Sequence, residues 1–236
     1  MKALIIRGGW AGHDPIATSE IAARELRAEG CAVELADSLD ALRDLEKLLT
    51  LDLIVPVWTM GKIEREQLQP LLAAVKAGVG LGGWHGGMCD TFREATDYQF
   101  MTGGQWVAHP GNATARYIVR MGPTASPITA GLSDFAVTSE QYYMHVDPGV
   151  TVLAHTYVAP GNGSGDPYST EAQAAVDAGR APGITMPVVW TKRFGKGRVY
   201  HLTLGHQASV FDLPEALTLM RRGLLWAAEG RALARA

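Results

Sequence analysis

Cysteine is scarce: Cys31 and Cys89 are the only two in 236 residues. They lie far apart, so they form neither a metal pair nor a redox pair, and both are expected to be free, buried thiols. Long apolar runs are absent as well; none approaches the ~18 residues at which a membrane span becomes a candidate. Neither sign of charge is in excess, with 21 basic against 24 acidic residues and a net charge of -3. With no basic stripe, nucleic acid and anionic membrane are excluded as expected partners, and a small neutral or mildly charged ligand fits better. The opening stretch from Met1 to Arg7 lacks the charged region, apolar core and cleavage site of a signal peptide, so the cytoplasm is the expected location. There is no HExxH spacing and no internal repeat.

What the chain does have is a 47% hydrophobic content, enough for one domain spanning residues 1–236 with a sizeable core. Its organising stretch is Gly78 to Cys89, a buried strand running into Gly83-Trp84-His85-Gly86-Gly87. The spacing Gly83-x-His85-x-Gly87 has the form of a nucleophile elbow, a strained strand-to-helix turn that lifts one side chain above the end of a parallel sheet. Histidine stands where such elbows carry Ser or Cys. Cys89, the nearest thiol, comes about one helical turn later and should face helix packing, which argues against thiol-based glutaminase chemistry.

Strand and helix patterns alternate through the first half. Lys2 to Arg7 reads as a strand, followed by a glycine-rich turn in which Asp14 suits an N-cap and Pro15 the first helical position. The helix after Pro15 is expected to end at Gly30. Cys31 to Ala36 and Leu51 to Trp58 read as strands, with a helix or turn region at Leu39 to Leu49 between them. A helical face follows at Leu68, Leu71, Leu72 and Val75, with Pro70 either starting or kinking the helix. This rhythm predicts an α/β sheet, largely parallel, with helices on both faces and ligands at the carboxyl ends of its strands.

Beyond the elbow the pattern loosens. Asp90 to Phe100 is expected to be helical, and Met101 to Gly111 a loop too rich in turn formers for a core element. Ala113 to Met121 alternates like an exposed strand, and Thr151 to Val158 reads as another. Residues 159–183 form a glycine-rich excursion expected to be a mobile surface loop or lid. Met186 to Phe194 and Arg198 to Leu204 read as a hairpin around Gly195-Lys196-Gly197, and the last helix carries Leu213, Leu217, Met220, Leu224 and Ala227 on one stripe.

Four of the seven histidines, His13, His85, His109 and His206, fall where a strand ends or a glycine-rich turn begins. His85, His109 and His206 are the expected catalytic group with Glu140, and His13 and Asp14 are expected to bind substrate. Glu140 and His145 flank Tyr142 and Tyr143 in a dense polar and aromatic cluster, while His155 and His201 sit inside strand patterns and read as structural. Trp84, Trp106, Tyr142, Tyr143 and Trp190 offer flat faces beside hydrogen-bonding groups, which suit sugar rings; plugging the sheet edge is the other role open to them. Imidazoles and a carboxylate in one cleft can bind a divalent metal such as zinc, with His85, His109, His206 and Glu140 as candidate ligands. They can equally act as general acid and base on a sugar hydroxyl or carbonyl.

The chain resembles the trehalose-utilisation, or ThuA-like, family. The resemblance rests on Gly8-Gly9 with His13-Asp14, Gly82-Gly83-Trp84-His85-Gly86, Gly104 to Pro110, Glu140-Gln141-Tyr142-Tyr143, and Pro187-Val188-Val189-Trp190 through Gly195 to Gly205-His206. It implies a flavodoxin-like fold of the class I glutamine amidotransferase-like type, with His in place of the catalytic Cys, plus an antiparallel strand excursion. It also implies carbohydrate use, with a keto-disaccharide as small-molecule partner. Three readings follow: a hydrolase or isomerase of a sugar derivative, a non-catalytic sugar-binding or scaffold protein, and a metal-dependent hydrolase of a non-sugar substrate. A homo-oligomer is the base-rate expectation for such an enzyme.

Overall fold

The computed structural model describes residues 1–235. Strand β1, Lys2–Gly9, leads into helix α1, Pro15–Ala28; then come β2, Ala32–Ala36, the short helix α2, Leu45–Leu49, and β3, Leu53–Thr59. Helix α3, Arg65–Lys76, precedes β4, Gly80–Trp84, and a one-turn helix α4, Gly86–Cys89. Pro70 lies inside α3, which begins at Arg65 rather than at the proline. The second half runs α5, Thr96–Thr102; β5, Gly104–Ala108; β6, Arg116–Met121; β7, Phe135–Thr138; β8, Tyr143–Val146; and β9, Thr151–Val158. It closes with α6, Thr170–Asp177, the hairpin of β10, Ile184–Phe194, and β11, Gly197–Leu202, and the long helix α7, Pro214–Arg235.

Nine strands form one sheet in the order β2-β1-β3-β4-β11-β10-β9-β6-β7. The first five are mutually parallel, and the four beyond β11 extend the sheet in antiparallel fashion. The expected parallel α/β core and antiparallel excursion are therefore one continuous sheet.

The burial pattern shows why the core strands lack a polar face. In β1, Ala3 and Ile5 join the cluster built with α1 and α7, whereas Leu4 and Ile6 join the opposite cluster built with α3. Successive side chains point to opposite faces, so helices on both sides require an unbroken apolar run. The glycines of β4 have a packing cause: a Cβ at Gly80 would lie 2.3 Å from the carbonyl oxygen of Ala227. Helix α7 thus lies directly on β4.

Three segments differ from expectation. Gly104–Ala108 is a strand, β5, paired antiparallel with β8 in a separate two-stranded ribbon; its turn formers sit at its ends, with Gly103 at φ 85° and Gly111 at φ 81°. The 90–100 stretch is helical only from Thr96, after a turn at Phe92 with φ 48°. Within the 159–183 excursion, α6 is started by the Ser169 hydroxyl accepting from Ala172 N, a capping contact that the glycine content obscured.

Candidate functional site

Parallel strands bring their carboxyl ends to one edge of the sheet, and the residues following β1, β3, β4 and β11 meet there. β1 delivers His13 through a short turn at Ala11–His13, β3 ends on Thr59, β4 runs into His85, and β11 is followed by Thr203 and His206. His85 has φ 47° and ψ -143°, a backbone region costing a non-glycine residue of order 1–3 kcal/mol. Its N–H donates to the Leu202 carbonyl at 2.7 Å, and its own carbonyl accepts from Cys89 N at 3.1 Å. The elbow is thus held from both sides, and its side chain is thrown above the strand end.

The four histidines converge on Glu140, which lies in the link between β7 and β8. His85 Nε2 is 3.1 Å from Oε2 of Glu140, His206 Nδ1 is 3.2 Å away, and His13 Nε2 is 3.8 Å away. His109 Nε2 stands 3.8 Å from the other carboxylate oxygen, on the more open side. The contacts differ in quality. The His206 Nδ1 distance falls within ion-pair range, yet the atom makes no aligned hydrogen bond with any protein group among the described residues. Rear contacts fix the other rings: His85 Nδ1 lies 2.7 Å from the Thr203 carbonyl, and His13 Nδ1 lies 2.9 Å from the Thr59 hydroxyl. The ring of Tyr142 stacks on His85 at 3.9 Å between centroids.

One ligand atom from each of His13, His85, Glu140 and His206 falls within 4.8 Å of all the others, so among the described residues these four form a group able to hold a metal ion. The expected quartet had His109 in place of His13. Here His109 stands one step outside, and His13, expected to bind substrate, is inside.

Gly86 makes this convergence sterically allowed. A Cβ there would sit 2.5 Å from both Nδ1 and Cε1 of His13, so Gly86→Ala must displace the His13 ring. The expected cost is about 1–3 kcal/mol of stability, with loss of whatever the cluster does. Denaturant unfolding of Gly86→Ala beside the parent checks this; an unchanged midpoint would contradict the packing.

Electrostatics favour a neutral ring beside an ionised carboxylate. Burial pushes His85 down to about 4, against the upward pull of Glu140 and the Thr203 carbonyl. Burial acts to raise Glu140, but contacts from His13, His206 and His85 outweigh it and hold the carboxyl far below the usual carboxylate range. At neutral pH both members are in their unprotonated forms and hold a further proton weakly, so their lone pairs are free for a cation and neither is a ready proton donor.

The remaining candidates divide by location. Tyr142 lines the site as the stacked base under His85, while Trp106 sits beside His109 at 5.4 Å between ring centroids and beneath the Arg93 guanidinium. Tyr143 and His109 line an open cavity of about 450 Å³, whose far wall is Asn162, Gly163, Gly165, Asp166 and Tyr168 of the excursion.

Other positions are corrected by the structure. Trp84 is 2% exposed and packs edge-on against Phe211. As the last residue of β4 it faces the core, opposite the way the positive φ of the next residue turns His85. Trp190 is fully buried in β10, with its indole N–H donating to the Thr102 carbonyl. Neither ring offers a face to a ligand. His145 projects from β8 into solvent, away from the cluster. Asp14 makes no side-chain cap on α1; its carboxylate accepts from Ala208 N at 3.3 Å instead, tying the α1 start to the segment after His206.

Thr59 and Thr203, which orient His13 and His85, went unnoticed in the sequence. For Thr59, whose hydroxyl meets His13, a polar residue closing an apolar strand beside the site is the signal; Thr203 acts through its backbone carbonyl, which no residue type records. Cys89 is buried with Sγ 3.4 Å from His201 Nδ1, and burial raises its thiol strongly, so it is no nucleophile.

Fold and elbow together define an α/β protein with a largely parallel core sheet, consistent with a flavodoxin-like, class I glutamine amidotransferase-like fold, and with a histidine on its elbow turn. The chain belongs to the ThuA family, described as trehalose utilisation, whose profile matches residues 2–227. Among solved structures it is similar to a ThuA-like protein from Parabacteroides merdae ATCC 43184, at 17% identity and TM-score 0.73 over 98% of this chain and 91% of the other. A ThuA-like protein from Bacteroides uniformis ATCC 8492 matches at 17% identity and TM-score 0.74, over 96% and 91%. A cytoplasmic protein from Salmonella typhimurium LT2 matches at 14% identity and TM-score 0.66, over 96% and 99%. At these identities the likeness establishes the fold. No curated protein sequence matches significantly. No helix among the described residues is long and apolar enough to cross a membrane.

Proposed function

We propose that this protein is a cytoplasmic enzyme that hydrolyses or isomerises a carbohydrate derivative, with a keto-disaccharide as the leading substrate class. The trehalose-utilisation family supports a sugar-related role. The observation that carries the reading is Glu140, buried, ionised and ringed by His85, His206, His13 and His109. Carboxylate and imidazole groups gathered at one point are the side chains that move protons at a sugar hydroxyl or at a carbon next to a carbonyl. His109, on the open side and lining the 450 Å³ cavity, is the group positioned to return a proton to a departing oxygen. Of the aromatic residues expected to form the sugar wall, Tyr143 lines the cavity and supplies a flat surface for the ring.

The test is turnover of a panel containing trehalose and keto-disaccharides, followed by product analysis. Glu140→Gln and His109→Ala are expected to lower kcat/KM on a responsive substrate by about 10²–10⁴-fold and ~10²-fold, respectively. Unchanged turnover in Glu140→Gln removes the mechanism. Tight sugar binding with no turnover by the parent protein would assign it instead to the non-catalytic sugar-binding class.

A further inference from the structure

We propose that His13 Nε2, His85 Nε2, His206 Nδ1 and the Glu140 carboxylate are the ligands of a single divalent transition-metal ion of the zinc class. The inference deepens the reading above, resting on it only in locating the reacting centre at Glu140.

Proton accounting carries it. The Thr203 carbonyl oxygen, 2.7 Å from His85 Nδ1, can only accept, so the proton of the neutral ring belongs on Nδ1 by this hydrogen-bond assignment. His85 Nε2 then aims a lone pair at Glu140 Oε2, 3.1 Å away. Two lone pairs repel, and a cation between them converts the repulsion into two bonds. His206 repeats the pattern: its Nδ1 is 3.2 Å from the same oxygen with no aligned partner among the described residues, on a residue only 8% exposed.

The distances agree. Bonds of about 2.0–2.1 Å to a tetrahedral ion place neighbouring donors roughly 3.3 Å apart. Contacts of 3.1, 3.2 and 3.8 Å to Oε2 bracket that value. The widest donor separation, 4.8 Å, is nearer the roughly 4.2 Å across an ion of higher coordination number with bonds of that length. Ligating histidines are normally fixed through their second nitrogen. The Thr203 carbonyl does this for His85 and the Thr59 hydroxyl for His13.

Imidazole donors with one carboxylate select zinc-like ions over magnesium or calcium, which prefer all-oxygen sites. A bound ion of this kind polarises a sugar hydroxyl or carbonyl. His109, 3.8 Å from Oε1, remains beside it to handle protons.

The full chain, stripped with chelator and dialysed, is titrated with zinc sulfate while bound metal and melting temperature are measured. One equivalent per chain is expected, with Tm rising on the order of 10 °C at a thousandfold excess over Kd. His206→Gln should weaken uptake at least tenfold. Thr59→Val, which keeps the side-chain shape but removes the hydroxyl behind His13, should weaken it about tenfold. Cys89→Ser should retain one equivalent. Uptake well below one equivalent with no Tm shift overturns the site, as does a stoichiometry lost in Cys89→Ser but kept in His206→Gln. Zinc uptake without sugar turnover leaves this site standing and removes the enzymatic reading above. Turnover by chelator-stripped protein that takes up no zinc does the reverse.

Discussion

Trp190→Ala is expected to destabilise the folded chain by about 3–5 kcal/mol, the usual range for deleting a fully buried tryptophan. Trp190 has no exposed surface, packs its ring 4.3 Å from that of His201 and donates its indole N–H to the Thr102 carbonyl at 3.1 Å. The substitution leaves both a cavity and a buried carbonyl without its donor, and the second adds the cost of an unsatisfied polar group. Denaturant unfolding of parent and variant measures the loss. The same variant separates two roles for this tryptophan. A wall residue would raise the KM for sugar at little cost in stability, whereas a core residue lowers stability and leaves KM of the folded fraction unchanged. A stable variant with raised KM would return Trp190 to the ligand wall.

Acid should weaken the fold in a defined window. The folded-state value of His85 lies near 4 because burial disfavours its charged form, while in the unfolded chain it returns to about 6.5. Between these values the unfolded state binds more protons, so stability rises with pH there. The contribution is fully present above about pH 6.5, falls as pH drops toward 4, and amounts to about 3 kcal/mol for His85 alone. His201, fully buried and also held well below its ordinary value, acts in the same direction. Glu140, held low in the folded state, extends the loss below the ordinary carboxylate range. Urea unfolding at pH 7.5 and pH 4.5 tests the sign; stability that is flat or higher at pH 4.5 would show that His85 is already charged in the fold. His85→Gln should flatten the slope above pH 4.5.

How far the sequence could be read depended on the range of each signal. Apolar strands alternating with amphipathic helices are local patterns, and β1, β3, β4, α3 and α7 fall close to where the residues place them. The elbow was legible because its flanking glycines have a steric cause that acts within a few residues. Trp84 and Trp190 were misread for the opposite reason. An aromatic next to a turn can face the core or the cleft, and the choice belongs to the element packed against it, Phe211 in one case and α5 in the other. The stretch 104–108 was hidden because a strand in a two-stranded ribbon draws its support from its partner, β8, rather than from its own pattern.

By itself the sequence determined a parallel α/β core with a histidine-bearing elbow after its fourth strand, because strand period, helix period and glycine placement are set by neighbours along the chain. Tertiary structure alone decided which groups meet that histidine. Glu140, 55 residues later, arrives from the antiparallel extension, and His13 enters the inner group while His109 stays at its edge. Convergence across such distances is fixed by the strand order of the open sheet and the connections at its edge, and no local spacing records it.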